Sequence, residues 1–377
     1  TRLGYEVKWT GSGCKINSPD GAQLPVRLDQ GCPTLPRREG VDILQQVEDH
    51  QRRETQMKLA AIRPNLELPK ACPEVEIVKR LKSIFPEVPA DLAKEIPGFA
   101  EVNIDQVVFN RHHRRKVQRA KTLVVHLFSG DDPKFWMAQE KNGVVIICIE
   151  LAKGADLRNG HLYGWLEQLA RSGRIDVLLA GPPCRSVSVC RLRSLEGDDG
   201  PQIVRARHGS ERFGRNGLTE EELKLVCNDN LLWMRTLWLA VQAYEANQNL
   251  EITLEQPQDP EQWKQPPVDI KEKIPGWNGF PSFLAWPETE GMVKTCHLRR
   301  ISFHQGALGH QTNKPTTVLT SMKELFDLQG LMSRGSSKEW PSELNKSVEL
   351  SSPLASWEPG LKNLLVNGIN RVKPQNA

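Results

Sequence analysis

Two runs of continuous apolar, largely β-branched residues constrain this chain more than any other feature. TLVVHLF (122 to 128) and VVIICIE (144 to 150) offer almost no polar face to water, and strands of that kind lie in parallel sheets covered on both sides by helices. DPKFWMAQEKNG supplies a short helix and turn between them, completing a βαβ unit. HLYGWLEQLARSG (161 to 173) is a helix closed by glycine, and IDVLLAG (175 to 181) is the next strand. Thr219, with Glu222 three residues on, makes a capping box for a long helix through LLWMRTLWLAVQAYEA, and LEITLE (250 to 255) follows as another strand. Strands alternating with helices imply an α/β fold: an open, doubly wound, mainly parallel sheet that binds ligands at the carboxyl ends of its strands.

The rest of the chain reads differently. At 377 residues it is long enough for one large core plus smaller pieces. Residues 1 to 50 hold short alternating stretches, YEVKW and QLPVRL, with turn signals at SPDG and CPTLP, which predicts a small β segment. Residues 51 to 120 are polar and proline-punctuated, helical in pieces such as VEIVKRLKSIF and PADLAKEI, and read as a connector. The α/β domain is expected over 121 to 321, with 322 to 377 as a C-terminal tail. No apolar run approaches the roughly 20 residues of a membrane span. The N-terminus TRLGYEVKW has neither a signal-peptide layout nor an initiator methionine, so a piece of a longer chain is expected. Eight cysteines without a C-x-x-C pair argue against a disulfide scaffold or a zinc ribbon, and no metal is expected. They fit a reducing, intracellular setting, nuclear or cytoplasmic.

A net charge of +4 proves nothing about nucleic acid, so the clustering of cations matters more. RHHRRKVQRAK, Arg111 to Lys121, holds six cations and two histidines with no acid, although most such runs are solvated faces. Between Arg185 and Arg215 seven arginines meet four acids around GDDGP and RFGRNG, which reads as a long mobile loop.

If ligands sit at strand ends, the residues there should carry chemistry. The first strand ends in FSGDD (128 to 132), the second in Glu150, the later ones in GPPC (181 to 184) and LEQP (254 to 257). A cysteine after two prolines, where an apolar strand breaks into arginine and serine, is either a small turn residue or a nucleophile. Cys148, Cys227 and Cys296 read as buried small apolar residues, Cys190 as a loop thiol, and Trp233 and Trp238 as core.

In this order the strand-end residues resemble the motifs of cytosine-5 DNA methyltransferases of the class I, S-adenosylmethionine-dependent, Rossmann-like fold. Phe128-Ser129-Gly130 is similar to that family's first motif and Glu150 to its ribose-binding acid. Gly181-Pro182-Pro183-Cys184, with Ser188 following, is similar to its nucleophile motif. Leu254-Glu255-Gln256-Pro257 looks like its Glu-Asn motif with Gln in place of Asn, and Asp156 in GADL like its adenine-contacting acid. The resemblance spans residues 121 to 321. It implies that S-adenosyl-L-methionine is held by Phe128, Ser129, Gly130, Glu150, Asp156 and Pro182. It also implies that Cys184 adds to carbon 6 of cytosine and activates carbon 5 for methylation, while Glu255 holds or supplies a proton at ring nitrogen 3. Arg185 would favour the thiolate or hold a phosphate. DNA would be the partner of a monomeric chain, touched by Ser188, Arg191, Arg193, Arg212 and Lys314 around a flipped base.

The pattern also departs from the family. Asp132 stands where a second glycine is expected, putting charge and bulk near the cofactor, and Arg185 replaces a glutamine. LGHQTNKPTTVLTS (308 to 321) occupies the place of a late arginine motif with only His310 and Lys314, and little chain remains for a target-recognition domain. LGYEVKWTGSGCKINSPDGAQLPVRLDQGCPTLP is similar to the stretch after the protease in polyproteins of copia-type retrotransposons, without a protease motif. Three readings therefore stay open: an active methyltransferase, a catalytically decayed nucleic-acid-binding module of a retrotransposon polyprotein, and a hydrolase using Cys184 with His208 or His310 as base.

Overall fold

The computed structural model describes residues 6–10, 13–17, 22–29, 32–35, 74–130, 132–188, 203–262, 279–310, 314–332 and 357–372. The chain divides into two units, Thr1–Glu67 and Leu68–Ala377. In the first, β1 (Glu6–Thr10) pairs antiparallel with β2 (Gly13–Asn17), and β3 (Arg27–Asp29) with β4 (Cys32–Thr34); β1 and β3 fall on the alternating stretches, while β4 falls on CPTLP, read as a turn signal.

The second unit is a mixed α/β fold. In chain order it runs α1 (Glu74–Ile84), α2 (Ala90–Glu95), α3 (Arg111–Gln118), β5 (Thr122–Leu127), α4 (Pro133–Met137), β6 (Val144–Ile149), α5 (Gly160–Arg171) and β7 (Val177–Ala180). It continues with α6 (Glu220–Ala246), β8 (Glu251–Pro257), α7 (Pro287–Thr295), β9 (Arg299–His304), β10 (Pro315–Thr320) and α8 (Pro359–Arg371). A six-stranded sheet has the order β6-β5-β7-β8-β10-β9. The first four strands are mutually parallel, and β10 is antiparallel to both β8 and β9. The capping box forms as read, with the Thr219 and Glu222 side chains each bonded to the other's backbone.

Alternation along the strands divides the core into two layers. Leu123, Val125 and Leu127 of β5, Leu178 and Ala180 of β7, and Ile252 and Leu254 of β8 face one cluster, completed by Leu81, Phe85, Leu166, Trp233 and Trp238. Val124, Ile146, Val177 and Leu179 face the other, with Trp136, Trp357, Leu361, Leu365 and Ile369. The sheet is thus wound on both faces.

Two expected boundaries are corrected. Residues 74 to 118 are no connector: Leu81, Phe85, Ile96, Val107 and Val117 are core. Arg235 of α6 fastens this stretch by donating to the carbonyls of Glu95, Ile96 and Leu157. At Gly98 the backbone comes so close to α5 that a Cβ would lie 2.2 Å from the Gly164 nitrogen, and the Gly98 N–H donates to Glu167. Likewise the stretch from Trp357 to Arg371 is no tail. It fills the second core layer, with Arg371 paired to Glu251 and Glu324 and Lys362 to Asp132. Of the region between Arg185 and Arg215, expected as a mobile loop, residues 203 to 215 are held by Arg205, Arg207 and Arg212, all buried, and residues 189 to 202 lie outside the described residues.

Candidate active site

From β5 the chain steps outward to β6, then crosses back to place β7 on the other side of β5. Such a reversal opens a crevice at the carboxyl ends of the two central strands. Leu127 is in register with both Ile149 and Ala180, so the segments beginning at Phe128, Glu150 and Gly181 emerge level with one another.

On the β5 side Phe128 takes φ 57° and Gly130 φ 69°. Left-handed backbone is strained for an aromatic residue and persists where surrounding structure enforces it. The turn it makes presents the Gly130 N–H to Glu150 Oε2 at 2.9 Å, and a Cβ on Gly130 would meet nothing within 4 Å among the described residues. An acid and a glycine turn therefore border open space. Asp156 is committed otherwise: Arg158 donates to both its oxygens, at 2.8 to 3.1 Å. Burial works upward on this carboxyl, yet the hydrogen bonds and charge of Arg158 hold it below its ordinary range. Asp132 is corrected. Rather than crowding the turn, its carboxylate accepts from the Phe135 N–H as the cap of α4 and pairs with Lys362.

On the β7 side, Gly181 to Cys184 leads into a tight turn in which the Val187 N–H donates to the Cys184 carbonyl. Cys184 is half-buried against the first core layer, and Arg185 is exposed. What fixes this turn is Ser186. Its N–H and Oγ both donate to Asp229 Oδ2 of α6, at 3.1 and 2.5 Å, and its Oγ accepts from Arg205 at 2.8 Å. Arg205 also donates to Asn230 and to the Arg212 carbonyl, and its guanidinium stacks over Phe283. Burial pushes the Asp229 carboxyl up, against the pull of Ser186, Arg205 and Arg185.

Glu255 of β8 comes to the Gly181–Pro182 segment that leads into this turn. A Cβ on Gly181 would lie 3.6 Å from Glu255 Oε2 and 3.4 Å from Trp357 Nε1, and the Gln256 amide donates to the Pro182 carbonyl at 2.8 Å. The other carboxylate oxygen, Oε1, accepts from Gln305 at 3.2 Å and lies 3.8 Å from Lys314 Nζ. Lys314, expected to touch DNA, is thus turned to Glu255. Arg212 is corrected as well: it is buried between Glu288 and Glu87 and faces no solvent, because a buried guanidinium needs carboxylate partners. Ser188 is half-buried beside the turn, while Arg191, Arg193 and Cys190 lie outside the described residues. His310 Nε2 lies 3.7 Å from Glu358, and His208 is exposed.

Among the described residues Cys14, Cys148, Cys184, Cys227 and Cys296 are in no disulfide. Burial pushes the thiols of Cys148 and Cys296 up to about 11 and about 12, which makes them inert. Cys148 is only half-buried, and Cys227 is corrected from buried to exposed, on the outer face of α6. Trp357 is the site residue that sequence reasoning missed. The signal was Pro359 followed by Leu361, Leu365 and Ile369 at helical spacing.

Compared with family models, curated proteins and solved structures, the chain matches none. Among the described residues no cluster of His, Cys, Asp and Glu could hold a metal ion, and no helix is long and apolar enough to cross a membrane.

Proposed function

We propose that the chain transfers a methyl group from S-adenosylmethionine to carbon 5 of cytosine in DNA through a covalent adduct with Cys184. The observation that carries this reading is the approach of the Glu255 carboxylate to Gly181, at the start of the Gly181–Cys184 segment that leaves β7. One feature supports a cofactor here, the open space over Gly130 beside Glu150. When bound there it would supply an electrophilic methyl group. Glu150 would hold its ribose hydroxyls, and the Phe128 to Gly130 turn would let it approach the backbone.

The chain's own residues account for the rest. The Cys184 thiolate adds to carbon 6 of a flipped cytosine and places electron density on carbon 5. Glu255, buried and steadied by Gln305 and Lys314, holds a proton at ring nitrogen 3 as charge develops. Once carbon 5 carries the methyl group, water takes the proton from carbon 5 and the thiolate leaves carbon 6, which restores the aromatic ring and frees Cys184. The Asp229–Ser186–Arg205 linkage keeps the turn from drifting, and fixed geometry of that kind is worth much of a barrier.

A second reading is favoured by one observation. The carboxylate expected to contact adenine is taken by Arg158, which suits a nucleic-acid-binding module that has lost its cofactor. Calorimetry with S-adenosylmethionine decides between them. Binding that Glu150→Ala weakens by roughly 1.5–3 kcal/mol supports the transferase, and no binding by the parent protein supports the decayed module. Trapping on a 5-fluorocytosine duplex tests the chemistry, since fluorine blocks the final elimination. Cys184→Ser should abolish the adduct, and an adduct that survives it would overturn the role of Cys184.

A further inference from the structure

We infer that the flank of the domain along α3 is a sequence-independent docking surface for a nucleic-acid backbone, separate from the Cys184 crevice. α3 is held at both ends. Asn110 accepts from the His113 N–H at its start, and Arg174 donates to the carbonyls of Val117, Gln118 and Ala120 at its finish. Two of its cations serve the fold: Arg114 donates to the carbonyls of Ile104 and Phe109, and Lys116 pairs with Glu140. Arg111, Arg115 and Arg119 do neither. They recur every four residues on the exposed side, and among the described residues no carboxylate pairs with them. Exposed Lys121 and Lys141 continue the strip, their segments joined where the Lys121 N–H donates to the Gly143 carbonyl at 2.9 Å.

Stability does not explain this arrangement. The first turn of a helix favours acids, yet α3 has none there and begins with Arg111. Rigid display of unopposed charge suits a partner that supplies regularly spaced anions. From Arg111 to Arg119 the helix rises ~12 Å, over which one strand of a duplex presents roughly three to four phosphates. A membrane is the poorer fit, because interfacial helices insert an apolar face and the one apolar residue of α3, Val117, is buried in the core. The strip starts beside the crevice, where Val108 lies 3.8 Å from a Cβ placed on Gly154, and runs toward the amino ends of β5 and β6. It would hold flanking nucleic acid rather than a target base.

The test is fluorescence anisotropy of the full chain with a labelled duplex of arbitrary sequence over a range of salt concentrations. The triple substitution R111A/R115A/R119A should lose about 10- to 100-fold in affinity at low salt and flatten the slope of log K against log salt by about 2–3. The corresponding triple Lys variant should keep the slope, and alanine, the better helix former, leaves α3 folded by circular dichroism. Unchanged affinity and slope, or a parent protein that binds no duplex, would overturn the proposal. So would a loss confined to anionic phospholipid vesicles, which would make the strip a membrane surface. Cofactor titration and trapping on the same variants keep the two readings apart, since the crevice can fail while the flank still binds.

Discussion

Ser186, two residues beyond Cys184, shows what a single hydroxyl does in this molecule. It satisfies Asp229 and Arg205 at once, both buried, so Ser186→Ala leaves a carboxylate and a guanidinium short of partners. The expected cost is about 1–3 kcal/mol in urea denaturation, with slower 5-fluorocytosine trapping and unaltered cofactor affinity. Equal stability and equal trapping would mean that the turn needs no such anchor. At Glu255 the substitution is Gln, which keeps volume and the contact with Gln305. Trapping should slow by about 10²–10⁴-fold, the usual worth of a positioned acid or base, with little change in melting temperature. That Glu150 and the Gly181–Cys184 segment follow the ends of β6 and β7 was legible, because each apolar run breaks there into polar or turn-forming residues, whereas Glu255 lies within β8. The burial of Arg212 was not legible. Its partners Glu87 and Glu288 are remote in sequence, and nothing local tells a paired buried arginine from a solvated one.

At the scale of elements, the central strands could be read from composition alone, since β5 is buried at every position from Thr122 to Leu127. The strand order could not. That β10 enters between β8 and β9, antiparallel to both, depends on pairings between distant segments. α1 and α8 were misjudged for a different reason. Their apolar residues lie on one stripe among charged ones, so average polarity hid the core-facing side of both, although α1 was read as helical. The consequence for α8 is measurable: Leu365, fully buried in the second layer, should cost 2–5 kcal/mol on truncation to alanine. Removing residues 357 to 377 should be worse, because Val124, Val177 and Leu179 would lose their cover. A shortened chain that melts like the parent would show that the helix is not part of the core.

Stability as a whole responds to pH through a residue buried in the six-stranded sheet. His126 lies on β5 in mid-sheet, stacked on Trp357 and edge-on to Trp136, with Nδ1 buried and unbonded among the described residues. Burial, aided by the Lys362 charge, lowers it to about 3. The unfolded chain protonates this histidine near its ordinary value of about 6.5, so between that value and about 3 the unfolded state binds the extra proton. Stability from His126 is therefore complete above the upper limit and falls as pH drops through the window, by up to roughly 1.4 kcal/mol per unit. His113 and His304, also lowered chiefly by burial, act in the same direction, while Glu167 and Asp229, raised by burial, act against it. The His126 share is isolated by His126→Leu, an apolar replacement in a site where Nδ1 makes no hydrogen bond. Chemical denaturation at intervals from pH 7.5 down to 5 should give a steep loss for the parent and a shallower one for the variant. Parallel curves would mean that the histidine is protonated inside the folded sheet and that the tryptophan sandwich does not exclude charge.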